Sequence, residues 1–236
     1  MAKEGYVNLL RTNRPGDAIG DDKFSARSRR DFLNKGYYAL LKEGLQALFR
    51  GKSGAVLDIC CGEGYYTAAL GENSDLQVYG FDISREMVRL GAKRGKGTYF
   101  VANMASIPVP DGAFDYAVHL FAPFNEGEFA RILKPGGHLY TVVPGARHLF
   151  GLKAAVYDTP YENDEALPRT DGLTFLGRRK LTGRIRLACR EDIEAVFRMT
   201  PYYFHTAQKD KDKLLSLETL ETEIEFVIGE YEKPPL

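Results

Sequence analysis

The chain has 236 residues, of which 44% are hydrophobic, enough for one substantial core but too few for two full-sized enzymatic domains. Its 32 basic and 32 acidic side chains cancel, so any basic surface must be local. Three cysteines exclude a disulfide framework and a four-cysteine zinc site. Because the sequence shows neither a signal-peptide segment nor an apolar run of about 18 residues, we expect a soluble, cytoplasmic protein.

The N-terminal fifty residues predict an arm followed by a helical cap. Turn-forming residues at 13–17 and 20–22 predict that the first two dozen residues are an arm. From 25 to 49 apolar residues recur at three- and four-residue steps, which predicts an amphipathic helix broken at Gly36 and Gly44, or two short helices. We therefore group residues 1–50 as an N-terminal arm and helical cap.

Short apolar runs alternate with helical segments in the rest of the chain. The runs lie at 55–59, 77–81, 98–101, 113–120 and 137–143, and two more strands are expected at 185–188 and 221–231, separated by a helix at 190–199. Strands that alternate with helices predict a parallel sheet. Residues 151–183 have no clear period, which predicts an insertion over the active site. The fold expected for 51–236 is a doubly wound α/β domain with a mostly parallel, seven-stranded sheet.

The turn after the first of these strands contains two glycines, Gly62 and Gly64. In a doubly wound sheet, ligands bind outside the carboxyl ends of the strands where the winding reverses. Glycines let a ligand approach the backbone closely. Asp82 ends the next strand, where a carboxylate can accept hydrogen bonds from both hydroxyls of a ribose. These features predict a nucleoside site.

The kind of nucleoside follows from what the turn lacks. Thr67 stands where a dinucleotide fold would have its third glycine, which disfavours NAD, and no P-loop pattern is present. A nucleoside that carries an amino acid remains, and its carboxylate could meet backbone N–H groups at the start of the next helix. Such a turn also occurs by chance in α/β proteins, so the strand entry at 110–115 and the turn at 133–137 are needed as support.

Together these motifs resemble those of class I S-adenosylmethionine-dependent methyltransferases, over roughly residues 53–144. A closer resemblance is to the 23S rRNA (guanine-N1)-methyltransferases. It rests on the strings AKEGYVNLL (2–10), RRDFL (29–33), CGEGYY (61–66), FAP (121–123) and PGARHL (144–149). These strings span almost two thirds of the chain.

Two positions depart from the pattern of that family. Cys60 stands where the family usually has the first glycine of the turn, which would tighten the methionine end of the pocket. The family also carries a Cys-rich zinc ribbon immediately before the string at 2–10, and Met1 stands just after the place of that ribbon. We therefore expect a chain without the ribbon, either naturally shortened or read from an internal methionine.

The resemblance implies S-adenosylmethionine as cofactor and assigns a set of residues to it. The set is Tyr38, Asp58, Cys60, Gly62, Glu63, Gly64, Asp82, Ile83, Asn103, Met104 and His148. In this assignment Asp82 binds the ribose, Asn103 and Met104 lie at the adenine ring, and Tyr38 and His148 reach the cofactor from either side. The alternatives are a core aromatic for Tyr38, a surface histidine for His148 and a structural loop at 103–104. No metal is required.

The acceptor is expected at Phe121, Pro123 and Arg147. The segment 121–124 follows the fourth strand, where this fold places its acceptor, and it differs from the Asn-Pro-Pro-Tyr motif used for exocyclic amines, which agrees with a ring nitrogen. A neutral guanine N1 carries a proton that must leave, so a base or an ordered water is implied. His119, Asn125 and Glu126 are close in sequence, and each is equally well explained as structural.

Basic residues cluster in one segment and indicate a surface for rRNA phosphates. They are Arg178, Arg179, Lys180, Arg184, Arg186 and Arg190, with Arg27, Arg29 and Arg30 added from the helical cap. The alternative is a solvated face balanced by the acidic tail at 218–232. Tyr157, Tyr161, Tyr202 and Tyr203 could stack on an extruded base, although core packing is the commoner fate of tyrosine.

Three functions are therefore open. The first is an RNA methyltransferase acting on N1 of a guanine in 23S rRNA, and the second is a small-molecule N-, O- or C-methyltransferase of the same fold. The third is a non-catalytic protein that binds S-adenosylmethionine. The expected partners are the cofactor and rRNA, with no membrane, and a homodimer is an open arrangement.

Overall fold

The computed structural model describes residues 2–10 and 23–235, so the loop predicted at 13–17 and 20–22 lies outside the described residues. The strands are β1 (Val7–Asn8), β2 (Gly54–Ile59), β3 (Leu76–Asp82), β4 (Thr98–Val101), β5 (Phe114–Leu120), β6 (Leu133–Pro144), β7 (Thr174–Leu187) and β8 (Leu220–Glu232). The helices are α1 (Lys23–Asn34), α2 (Ala39–Leu48), α3 (Tyr65–Leu70), α4 (Arg85–Arg94), α5 (Glu126–Ile132), α6 (Phe150–Val156), α7 (Arg190–Arg198) and α8 (Gln208–Leu215), with a 3-10 turn at Pro201–Phe204.

The strands form one sheet in the order β1-β4-β3-β2-β5-β6-β8-β7. All pairs from β1 to β6 are parallel, and β8 pairs antiparallel with both β6 and β7. The doubly wound, mostly parallel α/β fold is thus confirmed, and the described residues form eight strands in place of the expected seven. The extra strand is β1, because Val7 and Asn8 pair with Phe100 and Val101 instead of staying in the arm.

The alternation of side chains along each strand sends apolar residues to both faces of the sheet. In β2, Val56 packs with the cluster formed by the helical cap, α3, α6 and α7, whereas its neighbour Leu57 packs with α5 on the opposite face. In β5, Val118 and Ala117 divide in the same way. With both faces covered, the ends of the strands are where a ligand can reach the sheet.

Two expectations about local structure are wrong. Gly44 does not break the cap helix but lies inside α2, where a Cβ would come within 2.4 Å of the Leu181 side chain on β7. The glycine is therefore a close-packing position. Residues 174–183 are not loose insertion but the first part of β7, whose residues are mostly exposed and so lack the apolar alternation that would reveal a strand.

The C-terminal strands do form an antiparallel pair, with α7, the 3-10 turn and α8 between them instead of a short hairpin turn. In the described residues no helix has the length and apolar content that a membrane-spanning helix requires.

Candidate active site

A crevice of about 310 Å³ opens at the carboxyl ends of β2 and β3, beside the point where the winding of the sheet reverses. The predicted site residues that line it are Asp58, Cys60, Gly62, Glu63, Asp82, Ile83, Phe121 and Pro123. Gly64 lies directly after this turn and caps α3. The place predicted from the glycine turn is thus a real concavity, at the position where doubly wound folds bind their ligands.

Asp82 holds the glycine turn and at the same time faces the crevice. Its Oδ2 accepts the N–H of Gly62 at 3.0 Å, and its Oδ1 accepts the N–H of Ser84 at 2.9 Å. Each carboxylate oxygen has two lone pairs, so each can also accept a hydrogen bond from a ligand. Two adjacent hydroxyls, as on a ribose, match this arrangement.

Asp58 is a buried carboxyl at the floor of the same crevice, with a side chain that is 1% exposed. Its Oδ2 accepts the hydroxyl of Thr67 at 2.5 Å, whereas its Oδ1 has no hydrogen-bond partner among the described residues. Burial raises the pKa of Asp58 to about 7, and the charge of Asp82 adds to this. A cationic ligand would favour the ionised form of Asp58, and an ammonium group on that ligand could also donate a hydrogen bond to its Oδ1.

Glu63 is also 1% exposed, and it forms an ion pair with Arg94 of α4. Burial raises the pKa of Glu63, while the Arg94 guanidinium opposes that rise. The pair fixes the turn after β2 against α4, because an unpaired charge at this depth would cost about 3–5 kcal/mol. Glu63 therefore stiffens the turn that carries Gly62.

These residues fit S-adenosylmethionine, which carries a ribose and a positively charged sulfonium. A Cβ built on Gly62 would meet no heavy atom within 4 Å, so the backbone there faces open space that a ligand can fill. The carboxylate of Asp82 suits the ribose, and the buried carboxyl of Asp58 suits a cation. The N–H groups of Gly62 and Gly64 already donate to Asp82 and to the Cys61 carbonyl, so those two amides are not the ones that meet the cofactor carboxylate.

Three non-glycine residues at the site have left-handed backbone conformations: Cys60, Phe121 and Leu149, with φ of 57°, 56° and 58°. Each such conformation costs on the order of 1 kcal/mol or more and persists only where the surrounding structure imposes it. At position 60 glycine would adopt this conformation without strain, which is a physical reason for the glycine that is expected in such a turn. Burial raises the pKa of the Cys60 thiol, so it is neutral.

A second, larger cavity of about 550 Å³ adjoins the crevice. The two share Arg29, Phe121 and Ala122 in their linings, so they lie side by side. Aromatic side chains of Phe124, Tyr161 and Tyr202 contribute to the cavity wall. A partly aromatic cavity next to the cofactor crevice is a suitable place for a methyl acceptor.

Tyr38 and His148 meet in the wall of this cavity. Both side chains are buried, and the Tyr38 hydroxyl lies 3.1 Å from His148 Nε2. His148 Nδ1 accepts the N–H of Glu225 at 3.2 Å, and burial lowers the pKa of His148 to about 4. The imidazole is thus neutral with its proton on Nε2, which donates to the Tyr38 oxygen and leaves the Tyr38 hydroxyl proton for a ligand. Their contact with the cofactor stays a prediction.

The candidate bases near the fourth predicted strand all have structural partners. His119 lies between the Thr141 hydroxyl at 2.8 Å and the Pro123 carbonyl at 3.1 Å, and burial lowers its pKa to about 4. Asn125 caps α5. The Glu126 carboxylate accepts the N–H groups of residues 171 and 172 at 2.7 and 2.6 Å. Each of these side chains is explained by the contact that it already makes.

Three other predicted site residues line neither cavity. Met104 contacts the thiol of Cys60, which lines the crevice, at 3.8 Å, whereas Asn103 is exposed and accepts the N–H of Ala105 at 2.9 Å. Their adenine role stays a prediction. Arg147 does not line the cavity, because its guanidinium pairs with Glu223 at 3.1 Å.

Only some of the predicted tyrosines line the cavity, and only some of the predicted basic residues lack an ion pair with a described residue. Tyr161 and Tyr202 line the larger cavity, whereas Tyr157 and Tyr203 pack against the core. Lys180 is neutralised by Glu165 and Glu225, and Arg184 lies 3.6 Å from Glu223. Four other cations of the segment make no ion pair with a described residue, namely Arg178, Arg179, Arg186 and Arg190. The basic segment is thus partly balanced by glutamates, chiefly on the adjoining β8.

Comparison with known proteins places this site in a class. A family described as "Methyltransferase domain" matches residues 56–137, the part of the chain that forms the crevice. The protein is therefore an S-adenosylmethionine-dependent methyltransferase. Two similar relatives narrow the assignment, and the chain belongs to the family that these 23S rRNA (guanine-N1)-methyltransferases form.

The first relative is YxjB of Bacillus subtilis (strain 168), which carries the name of a 23S rRNA (guanine-N(1)-)-methyltransferase. It is 30% identical over 230 residues, covering 91% of this chain and 80% of the relative. The second is the 23S rRNA (guanine(748)-N(1))-methyltransferase of Streptomyces fradiae, 37% identical over 164 residues. That match spans 66% of this chain and 58% of the length of the relative.

Two further likenesses are more general. A demethylmenaquinone methyltransferase of Anoxybacillus flavithermus is 30% identical over 138 residues, covering 52% of this chain and 58% of that protein. Among solved structures, the cyclase SpnF superposes with a TM-score of 0.54 at 17% identity, covering 83% of this chain and 81% of that chain. At that identity the likeness extends to the fold alone.

The raised pKa of Asp58 makes cofactor binding depend on pH. Because a cationic ligand needs the ionised carboxylate, the affinity for S-adenosylmethionine is expected to fall as the pH drops below 7, by up to about tenfold per pH unit. Titration calorimetry between pH 5.5 and 7 measures this. Asp58→Asn is the matched control, whose weaker affinity should not follow this trend. A wild-type affinity that is constant over this range would contradict the role of Asp58.

Proposed function

We propose that the enzyme transfers the methyl group of S-adenosylmethionine to N1 of a guanine in 23S rRNA. The observation that carries the proposal is that a cavity with aromatic walls adjoins the cofactor crevice and shares Arg29, Phe121 and Ala122 with its lining. A flat base suits such a cavity because aromatic side chains offer stacking surfaces. The names of the two relatives supply the nature of the base and of the RNA.

In this proposal the chain mainly positions its reactants. S-adenosylmethionine supplies an electrophilic methyl group. Transfer of this group from the sulfonium requires a nucleophile that is aligned with the carbon–sulfur bond. Phe121 stands where crevice and cavity meet, 45% exposed and near the ring of His148. It can pack on the face of a base whose N1 points toward the crevice. The Tyr38 hydroxyl, oriented by His148, can donate to a ligand on the other side.

An RNA substrate also needs cations for its phosphates. The guanidinium groups of Arg178, Arg179, Arg186 and Arg190 make no ion pair with a described residue, and Arg29 lies at the junction of the two cavities. Together they support contact with phosphates on the side of β7. Reversal of Arg178 and Arg179 to Glu should weaken rRNA binding and leave S-adenosylmethionine binding unchanged.

The test is transfer of labelled methyl to 23S rRNA that lacks guanine-N1 methylation. Methylation at N1 removes a Watson–Crick donor, so reverse transcription should stop at the modified base and map it. Asp82→Ala should abolish the label. If the wild-type enzyme labels no position of 23S rRNA, the proposal is wrong.

A second candidate is methylation of a small molecule. It is favoured by the likeness to a demethylmenaquinone methyltransferase and by the glutamates that neutralise Lys180 and Arg184. Incubation of the enzyme with labelled cofactor and a cell extract, separated into RNA and metabolite fractions, distinguishes the two. Label found only in the metabolite fraction would favour this candidate over rRNA.

A further inference from the structure

Lys153 is a buried cation in the wall of the larger cavity. It lies in α6, its residue is 1% exposed, and it ranks among the largest fully buried side chains of the described residues. Within the described part of the chain no carboxylate lies within 4.0 Å of its ammonium group. A buried charge without a counter-ion is unfavourable, and positions of this kind are commonly retained for function.

The surroundings of Lys153 leave one of its donors unused. Its ammonium has three N–H groups, of which one donates to the Tyr161 carbonyl at 3.1 Å and one to Asn163 Oδ1 at 2.7 Å. The rings of Tyr161 and Tyr202 lie 4.0 and 5.6 Å from the nitrogen and stabilise its charge. Burial lowers the pKa of Lys153. The third N–H has no hydrogen-bond partner among the described residues, and because Lys153 lines the cavity a ligand there could accept it.

We propose that Lys153 selects the acceptor base by donating to its carbonyl oxygen, which is O6 of guanine if the function proposed above holds. Guanine presents an acceptor at that position, whereas adenine presents an amine donor that an ammonium would repel. The contact therefore favours a base with a carbonyl beside the ring nitrogen that is methylated. Lys153 would be a specificity-determining residue of the acceptor cavity.

The hydrogen bond from Lys153 to the carbonyl oxygen of the base would also assist methyl transfer to N1. The bond from N1 to the methyl carbon forms as the carbon–sulfur bond breaks, with its electron pair passing to sulfur, and the N1 proton leaves to water. As that proton leaves, negative charge is shared between N1 and O6. An ammonium fixed at O6 stabilises this charge, and removal of one such donor commonly costs about 100-fold in kcat.

The test compares Lys153→Met with the wild-type enzyme. Methionine has a similar length and no charge, so the fold should persist, as thermal unfolding would verify. We expect kcat on 23S rRNA to fall about 100-fold, while S-adenosylmethionine affinity by calorimetry stays within about twofold. A second measurement uses RNA hairpins that carry either guanine or 2-aminopurine, which lacks O6, at the mapped position. The preference for guanine in binding should fall about tenfold in the variant.

Two further variants separate selection of the base from support of the loop. Asn163→Leu removes one of the two hydrogen bonds by which Lys153 holds the segment 161–163, together with the hydrogen bonds that the Asn163 amide donates to the carbonyls of Gly145 and His148. A purely structural role therefore predicts that it loses the guanine preference as Lys153→Met does. Our inference predicts that Asn163→Leu keeps the preference and that Lys153→Arg, which retains a cationic donor, keeps most of it.

The outcomes distinguish this inference from the proposed function. If the wild-type enzyme labels 23S rRNA and Lys153→Met labels it equally fast, or if the guanine preference is unchanged in Lys153→Met, the role of Lys153 is wrong and the function stands. If the wild-type enzyme labels no rRNA, the proposed function is wrong, and so is the assignment of guanine O6 as the group to which Lys153 donates.

Discussion

Replacement of Asp82 by alanine should abolish methyl transfer and weaken S-adenosylmethionine binding by at least about 100-fold, because two charge-assisted hydrogen bonds contribute about 1.5–3 kcal/mol each. The carboxylate would be lost from the ribose, and the N–H of Gly62, held at 3.0 Å, would lose its acceptor. Labelled methyl transfer measures the loss of activity, and calorimetry measures the loss of affinity. Asp82→Asn should be intermediate, since its amide keeps one acceptor oxygen.

Asp75→Ala is the matched control for this prediction. Asp75 is exposed and precedes β3 at the amino end of the same strand, away from the crevice. The control should bind the cofactor as tightly as the wild-type enzyme does. If Asp82→Ala retained affinity within a few-fold while remaining folded, the ribose role of Asp82 would be refuted.

The cofactor crevice is the part of the site that the sequence predicts well. Gly62 and Glu63 lie in the short turn after β2, Asp82 is the last residue of β3, and both strands are largely apolar and buried. Because parallel neighbours end at the same edge of the sheet, residues at strand ends come together as soon as the strand order is known. A local motif and one topological rule are enough for this half of the site.

The acceptor cavity is harder to predict because its wall comes from distant segments. Phe121, Lys153, Tyr161 and Tyr202 follow different strands and helices, and they meet only once β8 has placed α6 beside the sheet. Lys153 in particular stands in an ordinary helical sequence, with nothing local to indicate that it is buried. The sequence motif beside it instead suggests Arg147, whose guanidinium pairs with Glu162 and Glu223 and does not line the cavity.

The contrast between local sequence patterns and long-range contacts also explains the wrong expectations about β7 and Gly44. Nearly all residues from 174 to 180 are exposed, so the alternation that predicts a strand is absent from this first half, and its pairing with β8 is the cause of its extended form. Gly44 looks like a helix break when read locally, and only the approach of Leu181 from β7 explains it. Long-range packing therefore decides the features that local patterns miss.

The two glycines of the turn should respond to alanine in opposite ways. Gly62 has φ +56° and open space at its Cβ position, so Gly62→Ala should cost only about 1 kcal/mol of stability. Its methyl group would enter the space assigned to the cofactor and should reduce S-adenosylmethionine affinity at least about tenfold. Gly64 has φ +78°, and a Cβ there would lie 2.8 Å from the Gly91 backbone of α4. Gly64→Ala should therefore cost about 3 kcal/mol or more of stability, since strain and overpacking add.

Thermal and denaturant unfolding of the free proteins, together with calorimetry at a temperature where each is folded, separate the two effects. The difference arises because Gly64 faces protein while Gly62 faces the crevice, so only Gly62 reports on the ligand. Equal loss of affinity and equal loss of stability in both variants would mean that the space beside Gly62 is not the cofactor site. A loss of affinity confined to Gly62→Ala, with unfolding close to that of the wild-type enzyme, is the result that the crevice geometry requires.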